Sequence, residues 1–369
     1  MLELADLFRA YGPAYRTQFG DQIPPQHLRV MRAIERCRTP ALGGHVYSCP
    51  DCGQTQFVYH SCRNRHCPKC QHENAQRWLE QQYELQLPVL YFLLTFTLPS
   101  QLRAFARSHQ QLVYDALFRA SAEATQQLAR DPRFVGGTLG LVGVLHTWAR
   151  DLSYHPHVHY LVPAGGLAED GHTWLPTRKK FLLPVKALSK LVRAKMRDAL
   201  CQTDGFADIP ASVWEQDWVV HCQPVGDGRT ALKYLAPYIF RVALSNRRIV
   251  QVENDQVTFR YKTNSGQTKF CTLPAEKFIH RFLQHVLPKS FVKVRYYGFF
   301  SPTLRKNLEP LRAQLAAQSA NAPTATPNGH SPSGMPSSST TSARVVRCPA
   351  CGHVMQHQAT LPPSGRAPP

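Results

Sequence analysis

The sequence predicts an α+β fold, a mainly antiparallel sheet flanked by helices and preceded by a small zinc-dependent module. Three observations predict it. Residues 37–76 hold closely spaced cysteines among glycine-containing turns. Beyond residue 87, strand-like runs alternate with stretches of helical periodicity, and the runs at 139–147 and 157–162 are joined by so short a connection that they suit an antiparallel pair. Short β-like runs then follow one another at 248–252, 257–261 and 269–272 and read as a small meander.

Taken in order, residues 1–38 are helical, because Leu4, Leu7 and Phe8, then Leu28, Met31, Ile34 and Cys37, recur at spacings of three and four. The apolar run at 88–99 is bounded by prolines and falls short of the ~20 residues a membrane helix needs. It reads as a buried strand. Residues 101–130 form an amphipathic helix with Leu102, Phe105, Leu112, Val113, Leu117 and Phe118 on its apolar face, and a further helix fits 184–201. A strand is expected at 218–222. From 313 to 342 the chain is rich in Ala, Ser, Thr and Pro, a composition that cannot offset the entropy of ordering and reads as a linker. The expected units are therefore a helical, zinc-binding region at 1–84, a main domain at 85–312, a disordered linker at 313–346 and a tail at 347–369 carrying a single Cys-x-x-Cys knuckle.

Lys plus Arg number 43 against 24 Asp plus Glu, a formal charge of +19, so the surface attracts polyanions and nucleic acid is the expected partner. The acidic first residues lack the basic, apolar pattern of a secretory signal, and the expected location is the cytoplasm. In that reducing compartment the 11 cysteines are expected as metal ligands or buried thiols.

Cys49, Cys52, Cys67 and Cys70 form two Cys-x-x-Cys pairs at the spacing of a tetrahedral zinc site, in which the metal substitutes for a core too small to fold alone. Cys37, His60, Cys62, His66 and His72 crowd the same stretch and leave ligand exchange or a second metal open. Arg63, Arg65 and Lys69 set cations beside the metal-held turn, where phosphate contact is expected. Cys348 and Cys351 supply half a site, to be completed by His353 and His357 or by another subunit, or left as an unliganded tail.

A strand through His157 and His159 points both imidazoles to one face. Pro156 is best tolerated where a strand starts, which favours this pair over His155, and an antiparallel neighbour can bring in His146 as third ligand, with His155 the second choice. Open positions and a DNA phosphate favour Mg or Mn as the catalytic ion. Tyr234 and Tyr238, at i and i+4, share one helical face, although Pro237 interrupts a helix there; taken alone they are packing residues. Lys233, Arg241, Arg247 and Arg248 are candidate phosphate contacts.

With the motif at 61–70, the segment Trp148 through His159, Tyr234-Leu235-Ala236-Pro237-Tyr238 and Arg295-Tyr296-Tyr297-Gly298-Phe299 in this order, the chain resembles the two-tyrosine rolling-circle insertion-sequence transposases of the HUH endonuclease superfamily that carry an N-terminal zinc-binding domain. The resemblance spans about residues 37–300. It implies a DNA transposase in which His157 and His159 hold the catalytic ion and Tyr234 and Tyr238 are nucleophiles. It also implies a single-stranded DNA intermediate, a covalent 5′-phosphotyrosine and substrates at hairpin-forming ends. The competing readings are a plasmid replication initiator or relaxase with the same nicking chemistry, and a non-catalytic zinc-dependent DNA-binding regulator.

Overall fold

The computed structural model describes residues 2–70, 72–178, 180–230, 232, 243–263, 265–305, 308–320 and 345–364. Two helices open the chain, α1 (Leu4–Phe19) and α2 (Pro25–Glu35). Pro24 and Pro25 mark the start of the second, where a proline lacking its N–H is readily accommodated, whereas Pro13 lies within α1. A ribbon of two antiparallel strands follows, β1 (Gly44–Ser48) and β2 (Thr55–Tyr59), and then α3 (His72–Leu85).

The main sheet is assembled from β3 (Tyr91–Thr97), β4 (Leu141–Trp148), β5 (Tyr154–Pro163), β8 (Val220–Pro224) and β12 (Val294–Tyr297). Their order is β12-β4-β5-β3-β8 and every neighbouring pair is antiparallel. Between β5 and β8 lie a small hairpin, β6 (Gly165–Leu167) and β7 (Trp174–Pro176), and the helices α6 (Val185–Leu200) and α7 (Ser212–Glu215). The predicted meander is present as β9 (Ile249–Glu253), β10 (Gln256–Lys262) and β11 (Thr268–Pro274).

Alternation along the strands sorts the sheet into two apolar layers. Phe92, Leu94 and Phe96 of β3 and Val158, Tyr160 and Val162 of β5 face a layer formed with Val113, Leu117 and Phe118 of α5 (Gln110–Ala129) and Leu188, Val192 and Met196 of α6. Leu93, Val142, Val144 and Leu161 face the opposite layer, with Trp78 of α3, Leu232, and Leu308, Leu311 and Leu315 of the helix Leu308–Ala320. Each such side chain contributes roughly 1.5–3 kcal/mol when fully buried, so both faces of the sheet are driven shut by the same effect. Gly143 serves the first layer by having no side chain: a Cβ there would lie 2.5 Å from the Tyr160 ring.

The sequence expectations meet the structure with local differences. The single helix expected at 101–130 is two, α4 (Arg103–Ser108) and α5, because His109 takes a non-helical backbone and stacks on Phe105 at 4.4 Å. The strand expected at 218–222 begins at Val220, since Trp218 is drawn into the core, donating Nε1–H to Val213 and its backbone N–H to Ser189. β5 starts at Tyr154, ahead of Pro156. The register of β4 on β5 shifts between His146 and Trp148, and that irregularity accommodates the proline's missing donor.

Apolar packing does not follow the expected boundary at residue 84. Leu4, Leu7, Phe8, Val30, Met31 and Ile34 share one core with Trp148, Leu152, Val257, Phe259 and the helix Ala275–Leu283, where Phe8 meets Phe282 edge-on at 5.4 Å. Nor is the tail a separate appendage. Its strand β13 (Gln356–Leu361) pairs antiparallel with the free edge of β1, giving a three-stranded ribbon ordered β13-β1-β2. Among the described residues no helix is long and apolar enough to cross a membrane.

Candidate active site and thiolate centres

His157 and His159 lie on the sheet face that carries Leu161, and His146 joins them because it sits directly opposite His157 in the β4–β5 ladder. Ligand nitrogens of the three lie within 4.8 Å of one another. Ring centroids are 5.1 Å apart for His146 and His157, 4.6 Å for His146 and His159, and 4.8 Å for His157 and His159. His155 turns instead toward Arg103, its Nδ1 2.6 Å from a guanidinium nitrogen. The geometry thus gathers His146 with the pair and leaves His155 outside the cluster.

Second contacts orient the rings. The His157 Nδ1–H donates to the His155 carbonyl at 2.7 Å, and His159 Nδ1 meets the Thr95 hydroxyl at 2.8 Å, so each turns Nε2 toward the cluster. Burial pushes all three imidazoles below their ordinary pKa, His157 to about 4, and the neighbouring histidines add to the effect on His146 and His159. At neutral pH these rings are uncharged and carry lone pairs, the form that ligates a cation. Thr95 hides in an apolar run and gave no sequence signal. The same holds for Lys293, whose ammonium lies 4.7 Å from the Trp148 ring centre, while Trp148 stacks on His146 at 5.5 Å. Burial lowers the Lys293 pKa to about 7, with the charge of Arg65 adding to it.

The hairpin tip between the histidine strands is braced from outside. Leu152 takes a left-handed backbone, φ 66°, and its carbonyl accepts from His285 Nε2 at 3.1 Å. Arg281 donates to the Asp151 carbonyl at 3.3 Å. Arg248, expected to face phosphate, donates to the carbonyls of Arg150, Ala243 and Arg260 at 2.5, 3.2 and 2.8 Å. Tyr234, Tyr238, Lys233 and Arg241 lie outside the described residues. Of the other basic candidates, Arg63 and Arg247 are exposed, Arg65 donates to the Phe291 carbonyl at 2.9 Å, and Lys69 pairs with Glu3.

The cysteines correct one expectation. Cys49, Cys52, Cys67 and Cys70 do not come together; the structure forms two groups of four, Cys37 with Cys62, Cys67 and Cys70, and Cys49 with Cys52, Cys348 and Cys351. The ribbon explains why. Ser48 pairs with Thr55 beside the first knuckle and Gly44 with Tyr59 at the far end, and strands of this length span about 17 Å, too far for one ion to reach both ends. None of the cysteines is in a disulfide. In the first group Cys70 Sγ lies 3.4 Å from Cys37 Sγ and 3.6 Å from Cys62 Sγ. A tetrahedron with Zn–S bonds of ~2.3 Å has sulfur–sulfur edges of about 3.7 Å, so the donor set fits zinc and is far too open for disulfides.

A family described as "Transposase zinc-binding domain" matches residues 7–98, and another described as "Putative transposase" matches residues 140–307. Over 345 residues the chain is 40% identical to "Putative transposase y4qJ" of Sinorhizobium fredii (strain NBRC 101917 / NGR234), a span of 88% of this chain and 86% of that protein. The chain belongs to this transposase family. The transposase is also 28% identical over 285 residues to the "Transposase for insertion sequence element IS801" of Pseudomonas savastanoi pv. phaseolicola, 72% of this chain and 68% of that one. No solved structure matches it. The zinc-binding match contains Cys37, Cys49, Cys52, Cys62, Cys67 and Cys70 of the transposase, the main match contains the three histidines, and neither reaches Cys348 or Cys351.

Proposed function

We propose that this transposase nicks single-stranded DNA and transfers it through a covalent 5′-phosphotyrosine in rolling-circle transposition, using His146, His157 and His159 to hold a divalent ion, Mg or Mn, and Tyr234 and Tyr238 as nucleophiles. The observation that carries the reading is the convergence of three neutral imidazoles, two buried and that of His157 half-buried, on one sheet face. Leu232, two residues before Tyr234 in sequence, packs in the same apolar layer as Val144 and Leu161, which flank the histidines. When bound, the ion would neutralise charge on the scissile phosphate and polarise it.

The remaining chemistry belongs to the chain. A tyrosine oxygen, having lost its proton to solvent, attacks the phosphorus; the bond to the 3′ oxygen breaks, and the leaving strand ends in a free 3′-hydroxyl. That hydroxyl, or one on another strand, then attacks the phosphotyrosine and returns the phenol, so the bond energy is conserved and no nucleotide triphosphate is required. Exposed Arg63 and Arg247, with Lys233 and Arg241, are the proposed phosphate contacts. Hairpin-forming DNA ends are the proposed substrate.

Incubation of the full chain with single-stranded oligonucleotides and Mg²⁺ or Mn²⁺ tests this. Wild type should form a denaturant-stable protein–DNA adduct; Tyr234→Phe combined with Tyr238→Phe should abolish it. His157→Ala should suppress it with little change in Tm. Absence of a wild-type adduct overturns the enzymatic reading, and persistence in the double variant overturns the nucleophiles.

A further inference from the structure

We propose that Cys49, Cys52, Cys348 and Cys351 form a second zinc site, a clasp by which the C-terminal tail is locked onto the N-terminal ribbon. The four Sγ atoms lie within 4.8 Å of one another, with Cys49 to Cys351 at 3.4 Å, Cys52 to Cys348 at 3.5 Å and Cys351 to Cys52 at 3.6 Å. These edges fit four thiolates around one tetrahedral zinc ion, whose sulfur–sulfur edges are about 3.7 Å. The soft donor set selects zinc over the harder ions suited to oxygen ligands.

The two knuckles are built alike, which argues for a site and against a chance encounter. Cys49-Pro50-Asp51-Cys52-Gly53 and Cys348-Pro349-Ala350-Cys351-Gly352 share the Cys-Pro-x-Cys-Gly pattern. In the first, the N–H of Cys49 donates to Gln54 O at 2.9 Å and the N–H of Gly53 to Cys49 O at 3.0 Å. In the second, the N–H of Cys348 donates to His353 O at 2.8 Å and the N–H of Gly352 to Cys348 O at 2.9 Å. Gly53 and Gly352 both occupy the left-handed region, φ 71° and 78°, that closes each turn so its two sulfurs face one way. Cys67-Pro68-Lys69-Cys70 is a different loop and takes its partners from Cys37 and Cys62.

Apart from the thiolates the tail is held by small, mostly exposed contacts. Its apolar cluster consists of Cys49, Cys348 and Met355 with Tyr47 and Val346 beside them, and the other attachments are the β13–β1 ladder, the His357 ring against His45 and Tyr47, His353 3.5 Å from Asp51, and the Ser364 N–H donating to Pro40 O. So small a core does not fold unaided, whereas four metal–thiolate bonds can supply the missing stability. Cys52 and Cys351 are exposed, while Cys37 and Cys67 of the first group are buried in the shared core. The clasp zinc should therefore leave first.

The test is metal content and tail retention in the full chain. Native mass spectrometry and elemental analysis should find two zinc ions in wild type and one after Cys348→Ser combined with Cys351→Ser. A site-specific protease sequence inserted within residues 321–344 should, once cut, leave the tail bound to the body in zinc buffer and release it when a chelator removes the first ion. One zinc ion in wild type, two in the double variant, release of the cut tail with both ions present, or its retention after the clasp zinc has gone would each overturn the proposal. None of these readouts depends on DNA cleavage, so they stand or fall apart from the catalytic reading.

Discussion

Cys37, Cys62, Cys67 and Cys70 come from a helix end and a loop, whereas His146, His157 and His159 come from two neighbouring strands whose backbone ladder already fixes their spacing. For the histidines, sheet pairing and the buried layer beneath have met the entropic cost of convergence before any ion arrives. For the thiolates, the loop from Ser61 to Cys70 has little regular structure to shape it, and metal binding is part of its folding free energy. One region needs its ion to exist; the other is shaped without one, and only the proposed chemistry would call on an ion there.

Removal of a thiolate ligand is the harshest test of that contrast. Cys67→Ser should cost several kcal/mol and lower Tm sharply, because Cys67 is 1% exposed in the core that joins α1 and α2 to the helix Ala275–Leu283. A near-wild-type melt by circular dichroism would break the comparison. A gentler probe of the other region is Thr95→Val, which removes the hydroxyl from His159 Nδ1 and keeps the side-chain shape. Divalent-ion affinity should fall about 10–100-fold, read as a higher Mg²⁺ or Mn²⁺ concentration for half-maximal cleavage, while thermal stability changes little. An unchanged ion requirement would show that the ring is held by the ladder alone.

The smallest effect is a slope with pH in the ion-free protein. His157 and His285 both have folded pKa values of about 4, lowered chiefly by burial from an ordinary 6.5. Between those values the unfolded chain binds more protons than the folded one, so stability is intact above about 6.5 and declines as pH falls toward about 4. Tm measured across that window should drop on acidification, and His157→Gln should flatten the slope. An equal slope in the variant would place the effect elsewhere.

Sequence and structure agree where the signal is local and periodic. The alternation through β3 and β5 and the short β4–β5 connection are legible in the chain, and antiparallel pairing alone brings His146 opposite His157. The grouping of cysteines was not legible. Spacing reveals a knuckle but not its partner, and Cys348 finds Cys52 through strand pairing between residues almost at opposite ends of the sequence. Thr95 and Lys293 were invisible for a related reason: nothing beside them in sequence distinguishes an ordinary strand threonine or surface lysine from one turned toward the histidines or Trp148. Arg248 shows the converse, a cation in a basic stretch whose guanidinium is drawn to backbone carbonyls that only the fold assembles.

The helix Ala275–Leu283 touches both halves of this architecture. On one side His280 Nδ1 lies 3.3 Å from the Tyr15 hydroxyl of α1 and Phe282 meets Phe8; on the other, Arg281 reaches the hairpin tip, as does His285 just beyond the helix. It works as a strut. Distance between the N-terminal helices and the histidine strands is set by packed side chains and not by the slack of a connecting peptide, so a nucleic acid that engaged both would meet a ruler of fixed length.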